Sequence, residues 1–260
     1  VLALTLALVL ALALALALAA FAAPPPEPIE EPLEKYDQAD KFRQLEEILP
    51  TPNTYRAASG APGHAYWQQK VDYVIDVEID DEHQTLDGSE RITYTNRSPD
   101  ELRYLWLQLD ANIYAPDSDA VLVQSAPKFD RVAPRDMKRL VERLDFDGSA
   151  QITRVATADG RSLDYTIVKT MLRVDLPAPL RPGGQFVFDV AWNYQINDAD
   201  KVRGRTGCEY FEDDGNYIYE MAQWFPRLCQ YSDVRGWNNK QFLGRGEFSL
   251  CLLYTSPSPR

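Results

Sequence analysis

Histidine, cysteine and acidic side chains are the groups most able to do chemistry in this chain, and their spacing is unfavourable for it. Hydrolysis at a protein-bound zinc ion needs two His one helical turn apart, a neighbouring Glu as general base and a third ligand, with one coordination position left for water. The 260 residues contain 2 His, His64 and His83, far apart in sequence and in loop or turn contexts, and His83 is followed by Gln84, so even the His-Glu pair is missing. Asp145-Phe146-Asp147-Gly148 has the opening of a calcium loop. No Glu falls at the required later position, and a hairpin turn is expected there instead. Gly204-Arg205-Thr206-Gly207 and Gly244-Arg245-Gly246 lack the strand-to-helix setting of phosphate loops and read as turns. Neither His offers a base to a Ser nucleophile. The acidic pairs Asp213-Asp214 and Glu30-Glu31 read as solvated loop charge. No catalytic residue, metal ligand or cofactor site is therefore assigned to these residues.

What remains is an aromatic and polar cluster between Tyr210 and Trp237. Tyr210, Phe211, Tyr217, Tyr219, Trp224, Phe225, Tyr231 and Trp237 supply apolar surface, and Glu220, Gln223, Arg227 and Asp233 supply polar points beside it. Core packing accounts for most of these aromatics; the functional alternative is a pocket wall or domain interface, where aromatic surface carries a few placed polar groups.

The elements that would position this cluster are strands. Val71, Tyr73, Ile75, Val77 and Ile79 alternate with Asp72, Asp76, Glu78 and Asp80, as a strand with one wet face requires. Asp87-Gly88 reads as a turn pair, Ile92 and Tyr94 resume the alternation, and Asn96 to Asp100 form a second polar turn. Leu102 to Leu109 reads as a strand buried largely on both faces. Further strands are expected over Ile152–Ala156, Leu163–Val168, Met171–Leu176 and Phe186–Ile196, divided by Asp159-Gly160 and Pro182-Gly183-Gly184. Arg131–Arg143, with Met137, Leu140 and Val141 at helical spacing, reads as a helix. Many short strands with regular turn signals predict a mainly β fold, an antiparallel sandwich or saddle.

Residues 1–22 are uncharged, almost wholly Leu and Ala, and end in Ala20-Phe21-Ala22, a small-x-small cleavage pattern. This predicts the apolar part of a secretory signal, with the start Met upstream of Val1 and a secreted or periplasmic product. A membrane-spanning helix is the alternative, since about 20 apolar residues can cross a bilayer; the chain would touch a membrane only through this segment, if uncleaved. Residues 23–62 read as a Pro-rich linker with a short helix over 36–49, where Phe42, Leu45 and Ile48 recur at spacings of three and Pro50 stops it. The charge is -12 overall, and because Arg260 is the only charge in the two end segments, residues 23–250 carry one negative charge more. No basic stripe is present, which argues against nucleic acid as a partner. Cys208 and Cys229 could pair in an oxidising compartment or stay separately buried; two cysteines set no framework, which favours the thiols. Cys251 to Arg260 continues neither the alternation nor the composition before it; it is similar to a translated sequencing adapter and is read as a scar outside the fold.

The closing segment Tyr217-Ile-Tyr-Glu-Met-Ala-Gln-Trp-Phe-Pro-Arg-Leu-Cys-Gln-Tyr-Ser-Asp-Val-Arg-Gly-Trp237, with Phe242-Leu-Gly-Arg-Gly-Glu-Phe248, resembles a secreted branch of the aminopeptidase N family of zinc metallopeptidases. Tyr66-Trp-Gln-Gln-Lys-Val-Asp-Tyr73 and Leu105-Trp-Leu-Gln-Leu-Asp110 are similar to the same branch and occur in the same order. The resemblance covers roughly residues 63 to 250. It implies a non-catalytic N-terminal domain, incomplete at its C-terminal end, that packs on a thermolysin-like catalytic domain and roofs its active-site groove. The zinc helix is then expected beyond Leu250, and residues 63–250 alone are expected to be inactive. The family pattern Thr-Gln-Phe-Glu helps hold the free amine of a peptide substrate. Gln223 matches its Gln, while Phe225 stands where the amine-binding residue falls; an alignment shifted through Phe225-Pro226 moves the match back toward Glu220. Gln223 and Glu220 are thus the substrate-binding candidates. The alternative from another class is a free-standing periplasmic or extracellular β-sandwich module that holds peptide or glycan on its Trp and Tyr side chains.

Overall fold

The computed structural model describes residues 53–244 except 58, 124–132, 203 and 205. The expected signal segment, the helix over 36–49 and the adapter-like tail lie outside the described residues. Among those described, no helix is long and apolar enough to cross a membrane.

The described residues form twelve strands: β1 Lys70–Asp80, β2 Thr85–Thr95, β3 Leu102–Gln108, β4 Gln151–Thr157, β5 Tyr165–Val168, β6 Met171–Leu180, β7 Gln185–Gln195, β8 Thr206–Phe211, β9 Asn216–Met221, β10 Arg227–Leu228, β11 Tyr231–Ser232 and β12 Gly236–Trp237. Among the described residues between β3 and β4 lie a 3-10 helix, Asp110–Tyr114, and two α-helices, α1 Asp119–Leu122 and α2 Pro134–Asp145. One sheet runs β1-β2-β7-β4, a second β10-β3-β6-β5, and β8-β9 and β11-β12 form two-stranded ribbons. Every ladder between named strands is antiparallel. A mainly β, antiparallel fold is thus what the alternating pattern produces.

One apolar cluster joins the two four-stranded sheets. Leu86, Ile92, Phe188, Val190 and Trp192 come from the first sheet and Leu105, Leu107, Leu172 and Val174 from the second, all fully buried. At about 25 cal/mol per Å² of apolar area, this shared layer is the main force holding the sheets face to face. β1 obeys the alternation only in its first half: Val71 is buried, whereas Val77 and Ile79 are exposed where the β1–β2 ribbon runs past the core.

Asp87-Gly88 is not a turn. Both residues lie inside β2, with Gly88 paired to Val77 on one side and Trp192 on the other. A Cβ on Gly88 would meet the Trp192 ring at 2.4 Å, so glycine makes room there for the indole. The chain actually reverses between Asp80 and Thr85. Asp80 Oδ1 accepts from the backbone N–H of Glu82 and His83 at 2.9 and 3.0 Å, and Gln84 takes a left-handed backbone, φ 58°. The second expected turn does form after β2. Its Asn96 is fully buried and donates to the carbonyls of Asp100 and Leu180 at 2.7 and 2.9 Å, while accepting from Gln69 at 3.1 Å.

β6 extends past the expected Leu176, through Pro177 and Pro179. It pairs with β5 only over Met171–Val174, so the prolines, which have no N–H to give, fall where that neighbour is absent. α2 begins at Pro134, a favourable first-turn position, rather than at Arg131, which lies outside the described residues. Met137 and Leu140 are half-buried on it, but Val141 is exposed. Phe146-Asp147-Gly148 lies in the α2-to-β4 connection instead of a hairpin, and Thr206 and Gly207 lie in β8.

Glu90 was not anticipated as a core residue. It sits in the middle of β2 between Ile75 of β1 and Val190 of β7, is 2% exposed, and neither carboxyl oxygen has a hydrogen-bond partner among the described residues. Burial pushes its pKa well above the ordinary value, so it stays protonated where surface glutamates are charged.

Candidate functional site

A cleft of about 240 Å³ opens where the end of β7, the 3-10 helix, α2 and the β9–β10 connection converge. Its walls include Asp110, Tyr114, Arg143, Tyr194, Gln223 and Phe242. The 3-10 helix starts where β3 leaves its sheet, because Asn112 bonds back to Leu109 O and its side chain donates to Lys169 O at 2.7 Å. Arg143 then caps that helix: Nη2 donates to Ile113 O at 2.7 Å and Nη1 to Tyr114 O at 3.2 Å, with the guanidinium 5.2 Å from the Tyr114 ring centroid. Burial pulls its pKa down. Gly204 completes the wall, since a Cβ there would collide with the Tyr114 hydroxyl at 1.7 Å.

Beneath the cleft is a buried ion pair. Asp110 Oδ2 accepts from Arg227 Nε at 3.0 Å and also contacts Arg227 Nη2, joining the 3-10 helix to β10. Desolvation raises the Asp110 pKa and Arg227 opposes the rise. Tyr194, buried beside them, has its phenol pushed up by desolvation.

Gln223 lines this cleft. It lies between Met221 at the end of β9 and Arg227 at the start of β10, and its backbone is left-handed, φ 59°. A non-glycine residue there costs of order 1 kcal/mol or more, and such outliers gather where a side chain must be aimed. Glu220 is placed differently. It pairs with Gly207 across the β8–β9 ribbon, is exposed, and is not among the residues lining the cleft.

The aromatic cluster divides in two. Trp224, Phe225, Tyr231 and Trp237 pack against the core, Trp224 lying 6.3 Å from Trp192 and Phe225 meeting Tyr73 edge-on at 5.7 Å. Tyr210, Phe211, Tyr217 and Ile218 are exposed on the ribbon. Asp233, another of the polar points, receives Arg56 through two bonds of 2.7 and 2.9 Å, tying Arg56 to the β11–β12 turn. Cys208 and Cys229 are both buried and are not joined by a disulfide. His64 and His83 stay in turns, and among the described residues no group of three or more His, Cys, Asp or Glu side chains could hold a metal ion. Sequence reading passed over Asp110, Arg143 and Tyr194. Asp110 ends one of the motifs quoted above, yet nothing in its spacing shows that Arg227, 117 residues away, folds against it.

No protein-family profile matches the chain, and no curated protein does. Among solved structures, a mutant M1 zinc metallopeptidase from Deinococcus radiodurans bound to a Tyr-Ser-Ala substrate is similar at 14% identity and a TM-score of 0.33, over 69% of this chain and 30% of that one. The M1 zinc metallopeptidase from the same organism gives 14% and 0.33 over 57% and 26%. A two-domain M1 zinc metallopeptidase mutant bound to L-arginine gives 13% and 0.32 over 68% and 29%. The chain thus spans under a third of the length of these proteins.

Proposed function

We propose that residues 63–250 form the non-catalytic N-terminal domain of a secreted or periplasmic zinc aminopeptidase, covering the active-site groove and helping to hold the N-terminus of a peptide substrate. The observation that carries the reading is Gln223. The residue that matches the Gln of the Thr-Gln-Phe-Glu pattern has a left-handed backbone and lines a cleft, between two strands that fix its ends. The ordered motifs at 66–73, 105–110 and 217–248 support it, as does the antiparallel β architecture in which they are set. Glu220, exposed and off the cleft, is the lesser candidate. In this reading zinc and the chemistry belong to a catalytic domain, which is also the partner of this one, and the present residues bind and orient.

The test is to read the gene beyond Leu250 and assay its product. A His-Glu-x-x-His helix and zinc-dependent release of N-terminal residues are expected, with Gln223→Ala raising KM for free-amine substrates about 10-fold or more while Glu220→Ala changes it little. One lost charge-assisted hydrogen bond corresponds to roughly that factor. A product without the zinc motif, or a Gln223→Ala enzyme with unaltered KM, would sink the proposal.

A further inference from the structure

A second groove, of about 590 Å³, lies between the β8–β9 ribbon and the C-terminal end of α2. Tyr210 and Tyr217 form its aromatic wall, Phe146 faces into it from beyond α2, and Glu142, Asp145 and Asp198 line it with carboxylates. The wall follows from strand register: Tyr210 is directly opposite Tyr217, their ring centroids 4.9 Å apart, and Tyr219 extends the row 6.1 Å further on. Tyr219 is anchored by donating to Gln84 at 2.7 Å, which fixes the ribbon against the β1–β2 turn. Tyr210 and Tyr217 nevertheless remain 51% and 41% exposed, a large aromatic area to leave in water.

Charge decides what fits. The groove's charged lining is Glu142, Asp145 and Asp198 against Lys201, and the ribbon beside it has no Lys or Arg from Thr206 to Pro226. Lys201 is taken up by Asp198 at 2.8 Å and feels Glu142 as well, and Glu142 contacts Lys138 at 3.7 Å. An apolar guest would strip water from these carboxylates and return nothing. A second copy of the chain, itself at -12, would meet its own sign. A cation gains on both counts, because aromatic faces attract it through the ring quadrupole and the acids steer it inward.

We propose that this groove docks a cationic, Lys- or Arg-bearing extended peptide, with one side-chain cation seated against Tyr210 and Tyr217. The inference is independent of the aminopeptidase reading, since it concerns a different groove and is read by binding, with no need for turnover. The full 260-residue chain is titrated against fluorescein-labelled dodecapeptides of alternating Arg and Ala, Gln and Ala, or Glu and Ala, followed by fluorescence anisotropy. The Arg peptide is expected to bind about 10-fold or more tightly than the Gln peptide, and to weaken as salt rises through the range where the Debye length falls below about 8 Å. Tyr210→Leu with Tyr217→Leu should weaken it about 10-fold, Tyr210→Phe with Tyr217→Phe should keep it, and Glu142→Gln with Asp145→Asn should flatten the salt dependence; unchanged melting curves establish that each variant is folded. Equal binding of the Gln peptide, full binding by the Leu pair, or a sedimenting dimer that the Leu pair dissociates in place of peptide binding overturns the proposal.

Discussion

At the scale of a residue, Glu90 gives the sharpest expectation. Its folded pKa is raised above the ordinary glutamate value of 4.5 by burial alone. Below that value both folded and unfolded chains hold the proton and the site is neutral to stability. As pH rises past it, the unfolded chain releases the proton while the folded one keeps it, so stability falls by about 1.4 kcal/mol per pH unit until the folded pKa is reached. Glu90→Gln should abolish that slope, and thermal unfolding of both proteins from pH 4 to pH 8 would show curves that diverge in favour of the variant. Parallel curves would mean that the carboxyl finds a partner in solution. The alternation shows that position 90 faces inward with Leu86, Ile92 and Tyr94, but an acid there reads as an exception that only the packed sheets explain. Gly88 was misread for a related reason. Asp-Gly is a strong local turn signal, and the Trp192 ring that requires a glycine lies across the sheet, 104 positions on, beyond any local window.

At the scale of elements, the joint between the 3-10 helix and β10 rests on one buried ion pair. Arg227→Ala removes the cation and leaves Asp110, 2% exposed, without it; the expected loss is about 3–5 kcal/mol, measured by urea unfolding. Replacing both partners, as Asp110→Asn with Arg227→Met, should recover much of that loss, because no lone charge then remains in the interior. If the single and double variants lose equal stability, the pair is not what fixes the joint. Strands were the legible part of this architecture. β4, β5 and β7 fall near their expected spans because alternation and turn residues both mark them. The 3-10 helix and α1 were missed because elements of five and four residues have too few turns to show a period. The site was legible only in pieces: Gln223 stands out in a motif, while Asp110, Arg143 and Tyr194 become a wall through contacts far apart in sequence.

At the scale of the molecule, the two four-stranded sheets share a core, so they should melt together. Cys208 on β8 and Cys229 beside β10 are buried on different elements, and burial raises the Cys208 thiol's pKa besides. Both should resist a thiol reagent in native buffer and become reactive at one denaturant midpoint, the same one seen by tryptophan fluorescence. Separate midpoints would show that the β8–β9 ribbon opens on its own.

The clasp between Arg56 and Asp233 joins positions 177 apart in sequence, at the two ends of the described fold. Its consequence is mechanical. Tension entering from the N-terminal side reaches this pair before it reaches any strand. While the clasp holds, the force is passed to the β11–β12 turn, and β1, an outer strand of its sheet, is shielded from being peeled. Once the clasp parts, β1 takes the load and can be unzipped from β2 one rung at a time.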